Sequence, residues 1–572
     1  MSSLIALEKS IDTIKRAIDG ITDFLSVSLR IANAHTVDFY TRHVWKELIA
    51  VPPDSVLAVI CNTSLDHEGA PDGAARHTYG FCEDTKRLVD VGGFLRATKL
   101  RSLPASGVCV PLQQLMDALH VHGQPLQPEE DGTLEPDEFM NSKKSHEVQI
   151  LSEVVVSLAR CCRLQQVVDV GSGKGYLCSF LSLRYGLRVY GVDSSSSNTH
   201  GARERNRKLK KYSKAYRRRS RTRARGGPRE AGGRSWSRAD GGRASNSGSR
   251  GSADGVSGDE ADVHPDGAGP EPEDPFLGLL PLEAAEPPPF RAPPAELSPE
   301  ERERRKQENL ERKSKGSRDE GLYSPLTSYV TAETELREII AELEDAVLVG
   351  LHTCGDLAPS TLRMFAAKPE LRALCSVSCC YHLLSEEFDQ AAPERPVGGV
   401  WGFPMSQYLR DQAWFCGRNA RMSACLALER VAVGKGLPTE SLFYRAVFHV
   451  ILQDHYNAFK SEKRVGNVYS KAGSFVDYVR KALRKLELDE SKLSDSLVQS
   501  YHDKYRPRMK EMEAFNMLKV SLAPCIEGLI LLDRLCYLKE QEKPFFCELV
   551  RLFDPLMSPR CYGIIGLKKL QM

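Results

Sequence analysis

An acid set two residues before a glycine-dense turn constrains this chain most. Residues 166–170, Gln-Val-Val-Asp-Val, read as a buried strand. Gly171-Ser-Gly-Lys-Gly175 follows, then a helical stretch to Tyr185, then a second apolar strand from Leu187 to Asp193. Strand, turn, helix and strand make the βαβ unit of a parallel sheet. Glycines at the turn let the backbone bend tightly and let a ligand approach the main chain. The fold class this implies is α/β: a doubly wound, mostly parallel sheet that binds its ligand at the carboxyl ends of the strands.

Two nucleoside ligands compete for such a turn. The dinucleotide fingerprint is G-x-G-x-x-G, but here Gly175 comes one residue early and Tyr176 takes the expected place. S-adenosylmethionine has no pyrophosphate and so needs no anion site at the helix start. Its amino group is positive, and Asp169 can face it. Asp193, at the end of the second strand, can accept both hydroxyls of a ribose. The expected cofactor-binding set is therefore Asp169, Gly171, Ser172, Gly173, Gly175, Tyr176, Asp193 and Ser194. A glycine turn with no ligand is the competing structural reading.

The organisation along the chain is predicted as follows. Residues 1–140 form a helical region, with helical spacing over Ser2–Ser28 and Val110–His120 and a loop over 64–77. Residues 141–216 are the first half of the α/β domain, with a helix over Ser145–Cys162. Residues 217–318, rich in Gly, Ser, Pro, Arg and acids, are a disordered insert, unable to bury enough apolar area to offset ordering. Residues 319–405 resume the domain with a short strand at 327–331, a helix at 333–343 and buried strands at 346–352 and 374–379. Residues 406–572 are helical and end in a strand hairpin, 547–553 and 561–567, around Asp554-Pro555. Residues 446–452 fit either a strand or a helix.

Composition narrows the setting. With 78 Lys and Arg against 76 Asp and Glu the net charge is only +2, so any nucleic-acid affinity must be local. The basic run from Arg203 to Arg225, with Tyr212 and Tyr216 interleaved, reads as an RNA-phosphate patch, a nuclear localisation signal or a solvated charge run. No run reads as a membrane span and the first 18 residues carry charges that a signal peptide lacks. The 16 cysteines then imply reduced thiols, in cytoplasm or nucleus.

Longer words narrow the family. Asn33–Tyr40, Lys143–Val148, Asp169–Tyr176, His352–Ala358, Cys379–Leu384, Trp401–Met405, Gly417–Ala424 and Phe515–Lys519 resemble the methyltransferase-like protein 25 family. The resemblance runs from about residue 30 to the end and skips the insert. It implies a class I methyltransferase fold with a seven-stranded sheet and S-adenosyl-L-methionine as cofactor. It also brings Lys144 into the cofactor set, with Lys143 beside it, although a solvated lysine pair is the alternative. A more distant similarity, to transfer-RNA 2′-O-methyltransferases, makes RNA an acceptor ahead of protein. The zinc-finger spacing that those enzymes carry at the N-terminus is missing here.

Two Cys/His clusters, His352 to Asp356 (with Cys354) and Cys379 to His382 (with Cys380), follow strands that are neighbours in this fold class, so they are expected to meet at the catalytic rim. His382, Tyr381, His352 and Cys380 are the catalytic candidates: a histidine to accept a proton from a hydroxyl and Tyr381 to stack on a base. The alternatives are zinc ligation and buried structural thiols. H-x-C and C-C-x-H are not standard zinc spacings, so no metal ligand is assigned. Asp356 is expected to cap the next helix near Pro359, and Trp401–Pro404 reads as a lid or a packed loop. The functional reading is a methyltransferase acting on a macromolecule, RNA or protein, with no membrane partner. A methyltransferase fold kept as an RNA- or protein-binding adaptor, and a small-molecule enzyme, are the alternatives.

Overall fold

The computed structural model describes residues 4, 6–61, 77–120, 140–209, 322–389, 399–426, 439–456, 465–466, 468–541 and 545–568. The predicted insert, residues 64–76 of the predicted loop and the basic run beyond Leu209 lie outside the described residues.

One sheet organises the α/β part. Its strands are β1 (Val110–Pro111), β2 (Gln166–Val170), β3 (Arg188–Asp193), β4 (Tyr323–Thr327), β5 (Ala346–Thr353), β6 (Leu371–Ser378), β7 (Phe545–Arg551) and β8 (Tyr562–Lys568). Their spatial order is β1-β7-β8-β6-β5-β2-β3-β4. β8 runs antiparallel to both neighbours and every other pairing is parallel. Seven strands make the expected sheet; the two-residue β1 adds an eighth at the edge. The chain winds outward from β2 through β3 to β4, then crosses to β5 and β6. The strand order therefore reverses at β2 and β5, whose carboxyl ends flank the crevice where ligands bind in such sheets.

Side-chain alternation divides the apolar strands between two cores. Val167, Val189, Val347, Val349, Cys375 and Val377 pack with helices α2 (Ser142–Cys161) and α3 (Tyr176–Tyr185). Val168, Val170, Val192, Leu348 and Leu374 join the opposite core, with α4 (Leu357–Ala367) and the helical region. That region is built on a 31-residue helix, α5 (Met509–Lys539). The N-terminal helix Ile11–Asn33 packs along α5, and Ser10 caps it by accepting from the Thr13 amide. The stretch 495–539, which ends in α5, is long and apolar enough to cross a membrane, contrary to the sequence reading. However, 89% of its apolar window is buried in the protein, as a core helix requires.

Three local expectations change. The strand after the insert is Tyr323–Thr327 rather than 327–331. It is an edge strand, where Pro325 forfeits no central ladder bond. The helix predicted over 333–343 is a single turn, Leu336–Ile339, and residues 446–452 lie inside the helix Thr439–Tyr456.

Candidate active site

The turn after β2 is tied to the end of β3: Gly171 N and Ser172 N donate to Val192 O at 2.8 and 3.2 Å. Gly171, Gly173 and Gly175 all have left-handed φ, at 73°, 54° and 67°. Their surroundings differ. A Cβ on Gly173 would meet nothing within 4 Å, so this glycine borders open space. A Cβ on Gly175 would strike the Tyr323 hydroxyl, so Gly175 serves packing rather than ligand approach. Asp193 turns toward the same opening. Its Oδ2 accepts from Gly173 N at 2.9 Å, and its Oδ1 from Ser195 N at 2.8 Å and Asn198 Nδ2 at 3.2 Å. Carboxylate oxygens accept more than one hydrogen bond, so capacity remains for hydroxyls. Ser194 is half-buried in the bend beside it.

Asp169 does not stand in the groove. Alternation places it on the α3 face with Val167, where it is 2% exposed and its Oδ2 lies 2.9 Å from Cys178 Sγ. Its Oδ1 is buried without a hydrogen-bond partner, as is Ser172 Oγ. Burial pushes the Asp169 carboxyl up to about 7; the Cys178 contact lowers it and the Asp193 charge raises it. Tyr176 opens α3, with Lys144 Nζ 4.9 Å and Arg205 Cζ 3.7 Å from its ring centroid. Lys143 instead reaches Glu147, at 3.7 Å.

The rim is made by the ends of β5 and β6. His352 is left-handed, with φ 63°, and its Nε2 lies 2.9 Å from Oε2 of Glu147 on α2. The Glu147 side chain is 1% exposed and that of His352 30%. Ser558 Oγ donates to Glu147 Oε1 at 2.6 Å. Burial pushes the Glu147 carboxyl up, but contacts with His352, Lys143 and Ser558 outweigh it and hold it below the usual range. A buried carboxylate thus orients the one candidate base that reaches solvent. The family resemblance touched Glu147 within Lys143–Val148 but gave it no role. Nothing in the sequence pointed to Ser558.

The other candidates sit deeper than expected. Tyr381 is 1% exposed, and its hydroxyl donates to Glu527 of α5 at 2.8 Å, so its ring offers no face to a base. His382 is 5% exposed, with Nδ1 3.7 Å from Cys425 Sγ. Burial pushes it down to about 4, so it is a neutral core histidine near pH 7. Asp356 occupies the cap position of α4 without capping it; its Oδ1 accepts from Ser385 N at 2.9 Å and pins the segment after β6. Trp401–Pro404 is a packed loop: Phe403 is fully buried and bridges Glu386. Asp533 of α5 holds the next residues, accepting from Met405 N at 2.7 Å and Ser406 N at 2.9 Å.

Cys380 joins two other thiols. Cys354 Sγ lies 3.0 Å from Cys379 Sγ and 3.1 Å from Cys380 Sγ, and the latter two are 3.3 Å apart. Contact with the other two thiols pulls Cys354 down to about 4 and pushes Cys379 well up.

Residues 143–387 match a family model described as a methyltransferase domain, which spans the glycine turn, Asp193, Glu147 and both Cys/His clusters. The chain is 49% identical to the mouse (Mus musculus) protein named probable methyltransferase-like protein 25, over 97% of each chain. It is 47% identical to the human (Homo sapiens) protein of the same name, over 98% of each. No solved structure matches it.

Proposed function

Because this chain belongs to the methyltransferase-like protein 25 family, we propose that its methyl donor is S-adenosylmethionine and that it methylates a hydroxyl group of RNA. The observation that carries the reading is the His352–Glu147 pair, at the carboxyl end of β5, the strand that pairs in parallel with β2 and so neighbours the glycine turn. The residues at the switch point suit the donor. Asp193 has acceptor capacity for a ribose, Gly173 leaves room for a nucleoside against its backbone, and Asp169 Oδ1 stands beneath the turn as an acceptor with no partner in the protein. The donor supplies an activated methyl group on a sulfonium.

The protein's own contribution is positioning and one proton transfer. A hydroxyl is a poor nucleophile until it loses its proton. His352 has the exposure to take that proton, and ionised Glu147 stabilises the imidazolium that results. An amine acceptor has less need of such a pair. Lys144 and Arg205 around Tyr176 place positive charge at the α3 start, which favours a polyanionic acceptor.

The test is incubation of the purified chain with donor labelled in the methyl group and fractionated cell extract. Label that nuclease removes and protease leaves supports the reading. Label that only protease removes makes the acceptor a protein. Failure to bind S-adenosylhomocysteine by calorimetry overturns the donor assignment.

A further inference from the structure

Three cysteine sulfurs from two strand ends converge on one point beside His352, and we infer that Cys354, Cys379 and Cys380 together bind a thiophilic metal ion, Zn²⁺ in the first instance. The convergence runs against the local backbone rules. Neighbouring residues of a strand point to opposite faces, so Cys379 and Cys380 would ordinarily diverge. Cys380 instead adopts a left-handed conformation, φ 32° and ψ 50°, which folds its sulfur back toward that of Cys379. On the facing strand end, His352 is left-handed too, and it turns the chain just before Cys354. Gly355 completes the approach: a Cβ there would lie 2.7 Å from Leu383 O, so only glycine lets the two ends come this close. Left-handed backbone strains a non-glycine residue, and such strain clusters at functional sites.

The ligand set is chemically apt. Thiolates prefer Zn²⁺ and other soft ions over Mg²⁺ or Ca²⁺. The sulfurs lie 3.0–3.3 Å apart. With Zn–S near 2.3 Å, tetrahedral ligands sit roughly 3.8 Å apart, so binding requires each pair to spread by about half an ångström or more. Cys379 and Cys380 are buried, while Cys354 is partly open to solvent. The fourth position therefore lies on the Cys354 side, toward the rim. Three protein ligands with a fourth place for water or substrate describe an open site rather than a closed structural one. Binding replaces thiol protons with the ion and releases them. The inference stands apart from the donor assignment, because the metal is read out with no donor present.

The experiment uses the full chain purified under reducing conditions from zinc-supplemented cells. Plasma mass spectrometry is expected to find about one zinc per chain. Exchange for Co²⁺ is expected to give the near-ultraviolet thiolate-to-cobalt absorption, lost in Cys354→Ser and Cys380→Ser and kept in Cys82→Ser, which lies far along the chain from both strand ends. A second measurement needs no variant: in the zinc-loaded wild type, Cys354 resists alkylation until a strong chelator is added. Sub-stoichiometric metal together with no Co²⁺ absorption in the wild type overturns the site. So does a Co²⁺ spectrum unchanged by Cys354→Ser, or alkylation of Cys354 that ignores the chelator.

Discussion

His352 Nε2 and Glu147 Oε2 lie 2.9 Å apart, although 205 positions separate them in the chain. Helix α2, just ahead of β2 in the chain, carries the carboxylate in, and the left-handed end of β5 turns the imidazole to meet it. Glu147→Gln keeps the shape and removes the charge that would stabilise a protonated histidine. Labelled methyl transfer is expected to fall by about 10²–10⁴-fold, the usual share of a positioned base, with affinity for S-adenosylhomocysteine unchanged. An equal fall in both would make the pair structural.

Gly173 and Gly186 share a left-handed φ, 54° and 69°, and neither has an atom within 4 Å of an added Cβ. They differ in place: Gly173 borders the proposed donor groove, and Gly186 ends α3. Each alanine variant pays about 1–2 kcal/mol of backbone strain. Gly173→Ala is expected to weaken S-adenosylhomocysteine binding at least tenfold, read by calorimetry, and Gly186→Ala to leave it intact. Equal binding in the two variants would place the donor elsewhere.

Much of this site was legible because it is local. The turn, its acid and the ribose-facing Asp193 fall within one βαβ unit, where spacing and geometry are tied. The terminal hairpin was legible because its strands adjoin in sequence. Burial at the rim was not. Tyr381 and His382 follow β6 as expected, but residues distant in sequence close over them: Glu527 of α5 takes the Tyr381 hydroxyl, and Cys425 lies against His382. Convergence of the thiols depends on the left-handed turn at Cys380, a conformation that sequence spacing does not encode. Asp169 was placed by its distance from the glycines, whereas strand alternation sends it beneath the turn.

Asp169 makes a prediction about pH. Its folded-state carboxyl is raised from 3.8 to about 7 by burial. A raised carboxyl favours the folded state while protonated. That stability is fully present below the unfolded value and is lost as pH rises through the folded one. Between pH 4 and 7, acidification therefore stabilises the wild type relative to Asp169→Asn, which lacks the titration. The difference in melting temperature between the two proteins is expected to change steadily across this window and to be flat below it. A difference independent of pH from 4 to 8 would mean that Asp169 is ionised throughout.

Arg421 and Glu386 form a buried pair with side chains 5% and 0% exposed, Nε to Oε2 2.9 Å. Glu386 also accepts from Cys416 N and Gly417 N, and Arg421 Nη1 donates to Tyr381 O and Leu384 O. The arginine thus holds the carbonyls of the segment that follows Cys380, while the glutamate ties the same segment to the start of the helix Arg418–Ser423. Arg421→Met strips the carboxylate of its counter-charge and leaves two carbonyls without their donor. Loss of one partner of a buried pair costs about 3–5 kcal/mol, and the denaturant midpoint is expected to fall accordingly. Adding Glu386→Leu removes the stranded charge and is expected to recover part of the loss, although the Cys416 and Gly417 amides then lose their acceptor. A single variant as stable as the wild type would show that Glu386 reaches water, and that the rim segment is held by Asp533 and Asp356 instead.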